Sequence, residues 1–224
     1  MLMRWHGAAL ALLVACSGTN QAANQPPSQD DGAWAVVEQL NEKLDSHGPY
    51  HCTVTETTVV NRKLPGDASR EKQEFIMTYS IWHKGPFMRK EMSASASLPS
   101  VIISRPEGEF WYDRESARYA QRPASGRPAM SERQRWEENR KQGARLALMG
   151  KERVNGQEAT VLEKSIGSVS VRYWFSDETG QMLRQTYPSP RNEAAVTTVT
   201  EWKDCVFEDL PNDLFEVPAD KITE

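Results

Sequence analysis

Histidine, serine, cysteine and carboxylate side chains are those through which a small protein most readily does chemistry, and here they form no recognised catalytic motif. The histidines are His6, His47, His51 and His83. No HExxH metal motif, GxSxG nucleophile elbow or glycine-rich phosphate loop occurs. Carboxylates such as Asp177 and Glu178 fall mostly in turn-like segments. We therefore predict no catalytic residue, no metal site and no cofactor. A hydrolase whose residues meet only in space is the alternative.

The N-terminal segment has the pattern of an export signal. An apolar run from Ala8 to Ala15 follows Arg4 and is too short to span a bilayer, which needs about 20 residues. It ends at Cys16 in the sequence LVAC, which resembles the bacterial lipobox, whose cysteine is acylated and becomes the first residue of the mature protein. A plain secretory signal with a cysteine there by chance is the alternative.

The lipobox resemblance predicts a signal peptide over residues 1–15 and a lipid anchor on Cys16. In bacterial lipoproteins, a serine after the acylated cysteine accompanies sorting to the outer membrane. Ser17 therefore implies the bacterial outer membrane, with the protein facing the periplasm. Residues 16–32 are polar, contain two adjacent prolines and predict a flexible tether.

Only Cys52 and Cys205 remain besides Cys16. Export places them in an oxidising compartment, where two cysteines can pair. We predict a disulfide between them. Two separately buried thiols are the alternative, because a free cysteine packs as a small apolar side chain.

Composition bounds the class of protein. The chain has 224 residues, of which 38% are hydrophobic and 26% charged, and its net charge is −4. Its mean hydropathy of −0.65 excludes a polytopic membrane protein, and its acidic balance argues against nucleic acid as a partner. Basic residues outnumber acidic ones from Arg114 to Arg145. That segment is either a solvated helix or a face for anionic lipid headgroups or an acidic partner.

The apolar pattern predicts one mainly β domain over residues 33–224. Trp34, Val37, Leu40 and Leu44 recur at helical spacing, so we expect a helix that ends near His47. About ten or eleven antiparallel strands follow, rich in β-branched residues and separated by turn sequences. A second, surface helix is expected from Ser131 to Met149.

This order of elements resembles the periplasmic lipoprotein-carrier superfamily (LolA/LolB-like). The phrases that carry the resemblance are residues 82–89 (WHKGPFMR), 107–113 (EGEFWYD), 150–156 (GKERVNG), 173–180 (YWFSDETG) and 214–218 (LFEVP). The resemblance implies a strongly curved antiparallel sheet, a half-barrel with helices covering its open side. It also implies a hollow that holds acyl chains. The side chains expected to line it are Phe75, Met77, Tyr79, Ile81, Val169, Val171, Tyr173 and Phe175.

The leading functional hypothesis is a lipid-anchored, non-enzymatic envelope protein that binds a hydrophobic or acyl ligand, such as the lipid of another lipoprotein. The alternative is a protein-interaction or sensor module with the same fold and a filled core, because any sheet core needs apolar alternation.

Overall fold

The computed structural model of the chain describes residues 29–63, 70–92, 100–122, 130–191 and 194–223. The expected signal peptide, Cys16 and nearly all of the tether lie outside these residues. Two α-helices are described, α1 (Gln29–His47) and α2 (Glu132–Lys141), together with two short 3₁₀ helices, Asn212–Phe215 and Ala219–Lys221. The strands are β1 (Tyr50–Lys63), β2 (Arg70–Lys84), β3 (Phe87–Met92), β4 (Val101–Arg105), β5 (Gly108–Asp113), β6 (Arg118–Arg122), β7 (Arg145–Val154), β8 (Gln157–Ile166), β9 (Val169–Ser176), β10 (Met182–Arg191), β11 (Ala194–Phe207) and β12 (Ile222–Thr223).

The twelve strands form one sheet in the order β12-β6-β5-β4-β3-β2-β1-β11-β10-β9-β8-β7. The expected mainly β class and antiparallel pairing are confirmed, apart from the short parallel pair of β12 with β6. β1 lies in the middle, between β2 and β11. Within the described residues β12 and β7 remain separate edges, so the sheet is not closed into a barrel. This arrangement is consistent with the expected curved sheet.

Helix α1 forms where the apolar spacing predicts it and lies across one face of the sheet. Trp34, Val37 and Leu40 are buried in a core cluster with residues of β7, β8 and β9. Towards the C-terminal end of α1, Leu44 packs with Val54 of β1 and Ile81 of β2. The helix therefore joins the two halves of the sheet through apolar contacts.

The turn between β9 and β10 fixes the position of α1. Gly180 has φ +73°, and a Cβ built on it would lie 2.0 Å from the carbonyl oxygen of Leu40. Only glycine fits there. Beside it, Asp177 accepts hydrogen bonds from Lys151 Nζ at 2.6 Å and Thr160 Oγ1 at 2.5 Å. Asp177 is thus a turn residue that is held by specific partners.

Helix α2 begins as expected and ends earlier. Ser131 and Gln134 form a capping box at its N-terminus. The expected continuation to Met149 is wrong, because Gly143 has φ +76° and β7 begins at Arg145. Trp136 anchors the helix, with its ring centroid 5.1 Å from that of Tyr173.

The C-terminal segment, residues 208–223, covers the opposite face of the other half of the sheet, at strands β4 to β6. Ile81 pairs with Lys90, which pairs with Ile102, so these side chains share the α1 face. Ile103, the neighbour of Ile102, points to the other face and packs with Phe110, and Val217 of the C-terminal segment packs against that cluster. Each half of the sheet therefore has its own covering element.

A disulfide joins the two central strands. Cys52 of β1 and Cys205 of β11 are bonded, with their Cα atoms 4.2 Å apart. Cys52 is almost completely buried and packs beside Leu44 and Ile81. The bond therefore lies at the point where α1 crosses the middle of the sheet.

Candidate ligand-binding groove

A groove of about 200 Å³ lies on the α1 face of the sheet. Helix α1, the first turn of α2, strands β1 to β3 and the start of β10 surround it. Apolar side chains form much of its wall: Leu44, Ile81, Met88, Phe175, Met182 and Trp202. Its polar side chains include Tyr79, His83, Lys90, Glu132, Arg135 and Gln181. An apolar wall with a few convergent polar groups is typical of a small-molecule binding site.

Strand geometry explains which residues meet in the groove. Side chains two apart on a strand point to the same face, so Tyr79, Ile81 and His83 of β2 do so together. On β3 the residues opposite Ile81 and His83 are Lys90 and Met88. These five side chains form a continuous patch across the pair β2–β3.

Eight residues were expected to line a cavity. The structure places three of them in this groove: Tyr79, Ile81 and Phe175. Met77 is half-buried beyond it. Phe75 is 58% exposed, so its assignment to a cavity is wrong. β2 extends past the region that α1 covers, and its alternation continues there with no covering element among the described residues.

The remaining three expected residues belong to a packed core. Val171 and Tyr173 are buried under α1 and Trp136, and Val169 packs against the same cluster. These side chains do not line the groove, because the aromatic rings of Trp34 and Trp136 fill the space above β9. The expected cavity is therefore narrower than the resemblance implied.

Lys90 and Tyr79 form a cation–π pair in the groove. The Nζ of Lys90 lies 3.5 Å from the centroid of the Tyr79 ring. Burial lowers the pKa of Lys90, and the Glu56 carboxylate opposes that change. Burial, together with Glu56, raises the pKa of Tyr79 to about 12. The tyrosine is thus neutral at physiological pH.

His83 contributes a neutral, flat surface. Burial lowers the pKa of its imidazole. The ring stacks on Tyr50, with centroids 5.2 Å apart. Burial also raises the pKa of Tyr50. Both rings therefore act as uncharged walls, and no nucleophile or carboxylate pairs with His83 in the part of the chain that the structure describes.

Arg135 and Gln181 supply two further polar groups. Arg135 Nη1 lies 3.3 Å from Glu132 Oε1, and the arginine is exposed at the groove rim. Gln181 is 2% exposed and donates to the carbonyl of Met182, while its Oε1 has no hydrogen-bond partner among the described residues.

The sequence reasoning missed Lys90 and His83, although a signal was present. His83 follows Ile81 with strand spacing, and Lys90 lies in the next strand. Neither residue was expected in the cavity, because only aliphatic and aromatic side chains were assigned to its lining. Arg135 and Gln181 had no comparable signal, since only the fold brings α2 and β10 to this groove.

Two arginines of the basic segment form ion pairs with acidic residues of α1. Arg133 Nη2 lies 2.8 Å from Asp45 Oδ2, and Arg140 lies 3.8 Å from Glu38 and 4.0 Å from Asp31. These pairs clamp α2 to α1. They favour the solvated-helix interpretation of this segment over a face for lipid headgroups.

Metal ligands and membrane spans are both absent from the residues that the structure describes. No group of three or more histidine, cysteine, aspartate or glutamate side chains is placed there to hold a metal ion. No helix in the described ranges is both long and apolar enough to cross a membrane.

The described strands form an open, almost entirely antiparallel sheet with a helix-bounded groove on one face. Comparison with solved structures gives an uncharacterised conserved protein from Thermus thermophilus with a TM-score of 0.55 and 10% identity. The match covers 84% of this chain and 98% of that one. At this identity the likeness concerns the fold alone.

Two further similar structures have lower scores. One is a putative outer membrane lipoprotein-sorting protein domain from Vibrio parahaemolyticus, with a TM-score of 0.39, 11% identity, and coverage of 83% of this chain and 97% of that one. The other is MucB of Pseudomonas aeruginosa in its complex with MucA, with a TM-score of 0.45, 14% identity, and coverage of 82% and 62%. The structural neighbours of this chain thus include an outer membrane lipoprotein-sorting domain, at low identity.

No protein-family model matches the chain. No curated protein matches it either.

Proposed function

We propose that this chain is a lipid-anchored envelope protein that binds a hydrophobic or acyl ligand in the groove between α1 and strands β1 to β3, without catalysing a reaction. The observation that carries the proposal is the groove itself, with six apolar side chains facing an open volume of about 200 Å³. Two of the six are methionines, Met88 and Met182, whose flexible and polarisable side chains adapt to ligands of different shape.

The rest of the proposal concerns location. The lipobox-like sequence before Cys16 supports an acyl anchor, and Ser17 supports the periplasmic side of the outer membrane. The ligand would then be an acyl chain or the lipid of another lipoprotein within reach of the anchored domain. An anchor made of several acyl chains gives firm membrane attachment.

The test is mass spectrometry of lipids extracted from the full chain carrying Cys16→Ser, which removes the acceptor thiol. We expect a reproducible acyl species in organic extracts of the purified protein. Met88→Trp fills the groove and should abolish that species. The matched control is Met149→Trp, at a methionine that is 50% exposed and outside the groove, and it should leave the species in place.

A second candidate function has its own observation. Tyr173, Phe175 and Trp136 fill the space under α1 and make part of the expected hollow a packed core. A filled core suits a protein-interaction or sensor module. Extracts without any acyl species, from the parent and from both tryptophan variants, would contradict ligand binding and support the module.

A further inference from the structure

Lys90 is a cation placed in the apolar wall of the groove. It lies on β3 directly opposite Ile81 of β2 and Ile102 of β4. The side chain is half-buried and lines the groove together with Met88 and Leu44. An ammonium group in such a position has lost part of its hydration, which is costly unless an anion or polar partner replaces the water.

The described part of the protein provides no such anion in contact with Lys90. Its close partner is the ring of Tyr79, 3.5 Å from Nζ. Glu56 acts on it through space, yet forms no ion pair with it within 4.0 Å among the described residues. Other groove charges are already matched, since Arg135 is paired with Glu132. Among the groove cations that the structure describes, Lys90 is thus the one without a contacting counter-charge.

We propose that the groove binds an amphiphile with an anionic headgroup, a carboxylate or a phosphate, which contacts Lys90 while its alkyl chain lies against the apolar wall. This inference rests on the proposed function and specifies its ligand class. A charge-assisted hydrogen bond from the ammonium to the headgroup would replace the hydration that the ammonium loses on burial. The lowered pKa of Lys90 agrees with an ammonium that lacks this partner in the free protein.

The experiment uses two probes that differ only in charge, doxyl-stearic acid and its methyl ester. Both quench tryptophan fluorescence, and Trp202 lines the groove. The protein is the full chain carrying Cys16→Ser. We expect the acid to bind about tenfold more tightly than the ester, and Lys90→Gln to remove that preference by weakening acid binding. Urea denaturation of the variant checks that it is folded.

The matched control is Lys141→Gln, at an exposed lysine at the end of α2, which should keep the preference for the acid. Displacement of the bound probe by stearate or by stearoyl lysophosphatidate identifies a carboxylate or a phosphate as the preferred headgroup. Equal affinity for acid and ester in the parent chain would overturn the anionic-headgroup inference and leave the proposed function standing. Failure of both probes to bind would overturn the proposed function and the inference with it.

Discussion

Single residues show how closely polar and apolar groups are mixed in the groove. Tyr79 and Ile81 follow from strand alternation, which places every second side chain on the same face. The same rule extends to His83, while Lys90 enters through the register of β3 against β2. At this scale the site combines neutral rings, aliphatic chains and the paired Arg135 and Glu132 with Lys90, which contacts no anion among the described residues.

Gly180 is the residue at which the smallest change should have the largest effect. Gly180→Ala forces a Cβ to within 2.0 Å of the α1 backbone at Leu40 and also strains φ +73°. We expect α1 to shift and the free energy of unfolding to fall by about 3 kcal/mol. Urea denaturation of the full chain carrying Cys16→Ser, with and without Gly180→Ala, measures the change in the free energy of unfolding.

The control for this prediction is Gly167→Ala. Gly167 has φ +59°, but a Cβ there would have nothing within 4 Å. We expect it to cost about 1 kcal/mol, from backbone strain alone. Equal losses for the two variants would show that the contact of Gly180 with α1 is unimportant.

Elements of the fold depend on contacts that bring distant segments together. α2 ends at Lys141 because Gly143 adopts a left-handed conformation and the following apolar residues alternate into β7. The helix is then held against α1 by Trp136 and by the ion pairs of Arg133 and Arg140. The C-terminal segment likewise becomes ordered by packing on β4 to β6.

The bond between Cys52 and Cys205 should form in the exported protein and stabilise the pairing of β1 with β11. It joins residues separated by 153 positions. The loop-entropy model gives up to about 5 kcal/mol for a loop of this length. We expect no free thiol when the full chain carrying Cys16→Ser, purified without reductant, is titrated in denaturant.

Reduction provides the comparison for this bond. The reduced protein should show two thiols in denaturant and unfold at a lower urea concentration. Two thiols in the unreduced chain would contradict the pairing. Cys52→Ala with Cys205→Ala should match the stability of the reduced protein if the bond alone is responsible.

The whole molecule has two differently covered halves. α1 and α2 pack on one face of β7 to β9, whereas the C-terminal segment packs on the opposite face of β4 to β6. The groove lies on the α1 face of the sheet, at strands β2 and β3. This division leaves one half of the α1 face closed and part of the other accessible to a ligand.

The location of the whole molecule is tested at Cys16. Cells that express the wild-type chain and are fed radiolabelled palmitate should yield labelled protein in the outer membrane fraction. Cys16→Ser should abolish the label and release precursor or soluble protein, because the acceptor thiol is absent. A wild-type chain that fractionates as soluble and carries no label would contradict the lipoprotein interpretation.

Local sequence patterns determined the parts of this protein whose causes are local. The spacing of Trp34, Val37 and Leu40 predicted α1, alternation predicted most strands, and Ser131 predicted the start of α2. Tertiary structure alone decided which apolar faces became closed core and which stayed open. Alternation is the same for Phe75 and Tyr173, yet one is 58% exposed and the other is buried under Trp136.

The physical reason is that burial depends on what covers a side chain as well as on its own polarity. α1 reaches only part of the sheet, because Gly180 and the Leu44 contacts fix where it crosses. Lys90 became a groove residue through its register against Ile81, and Arg135 and Gln181 through the meeting of α2 with β10. These are long-range contacts, and no local spacing along the chain encodes them.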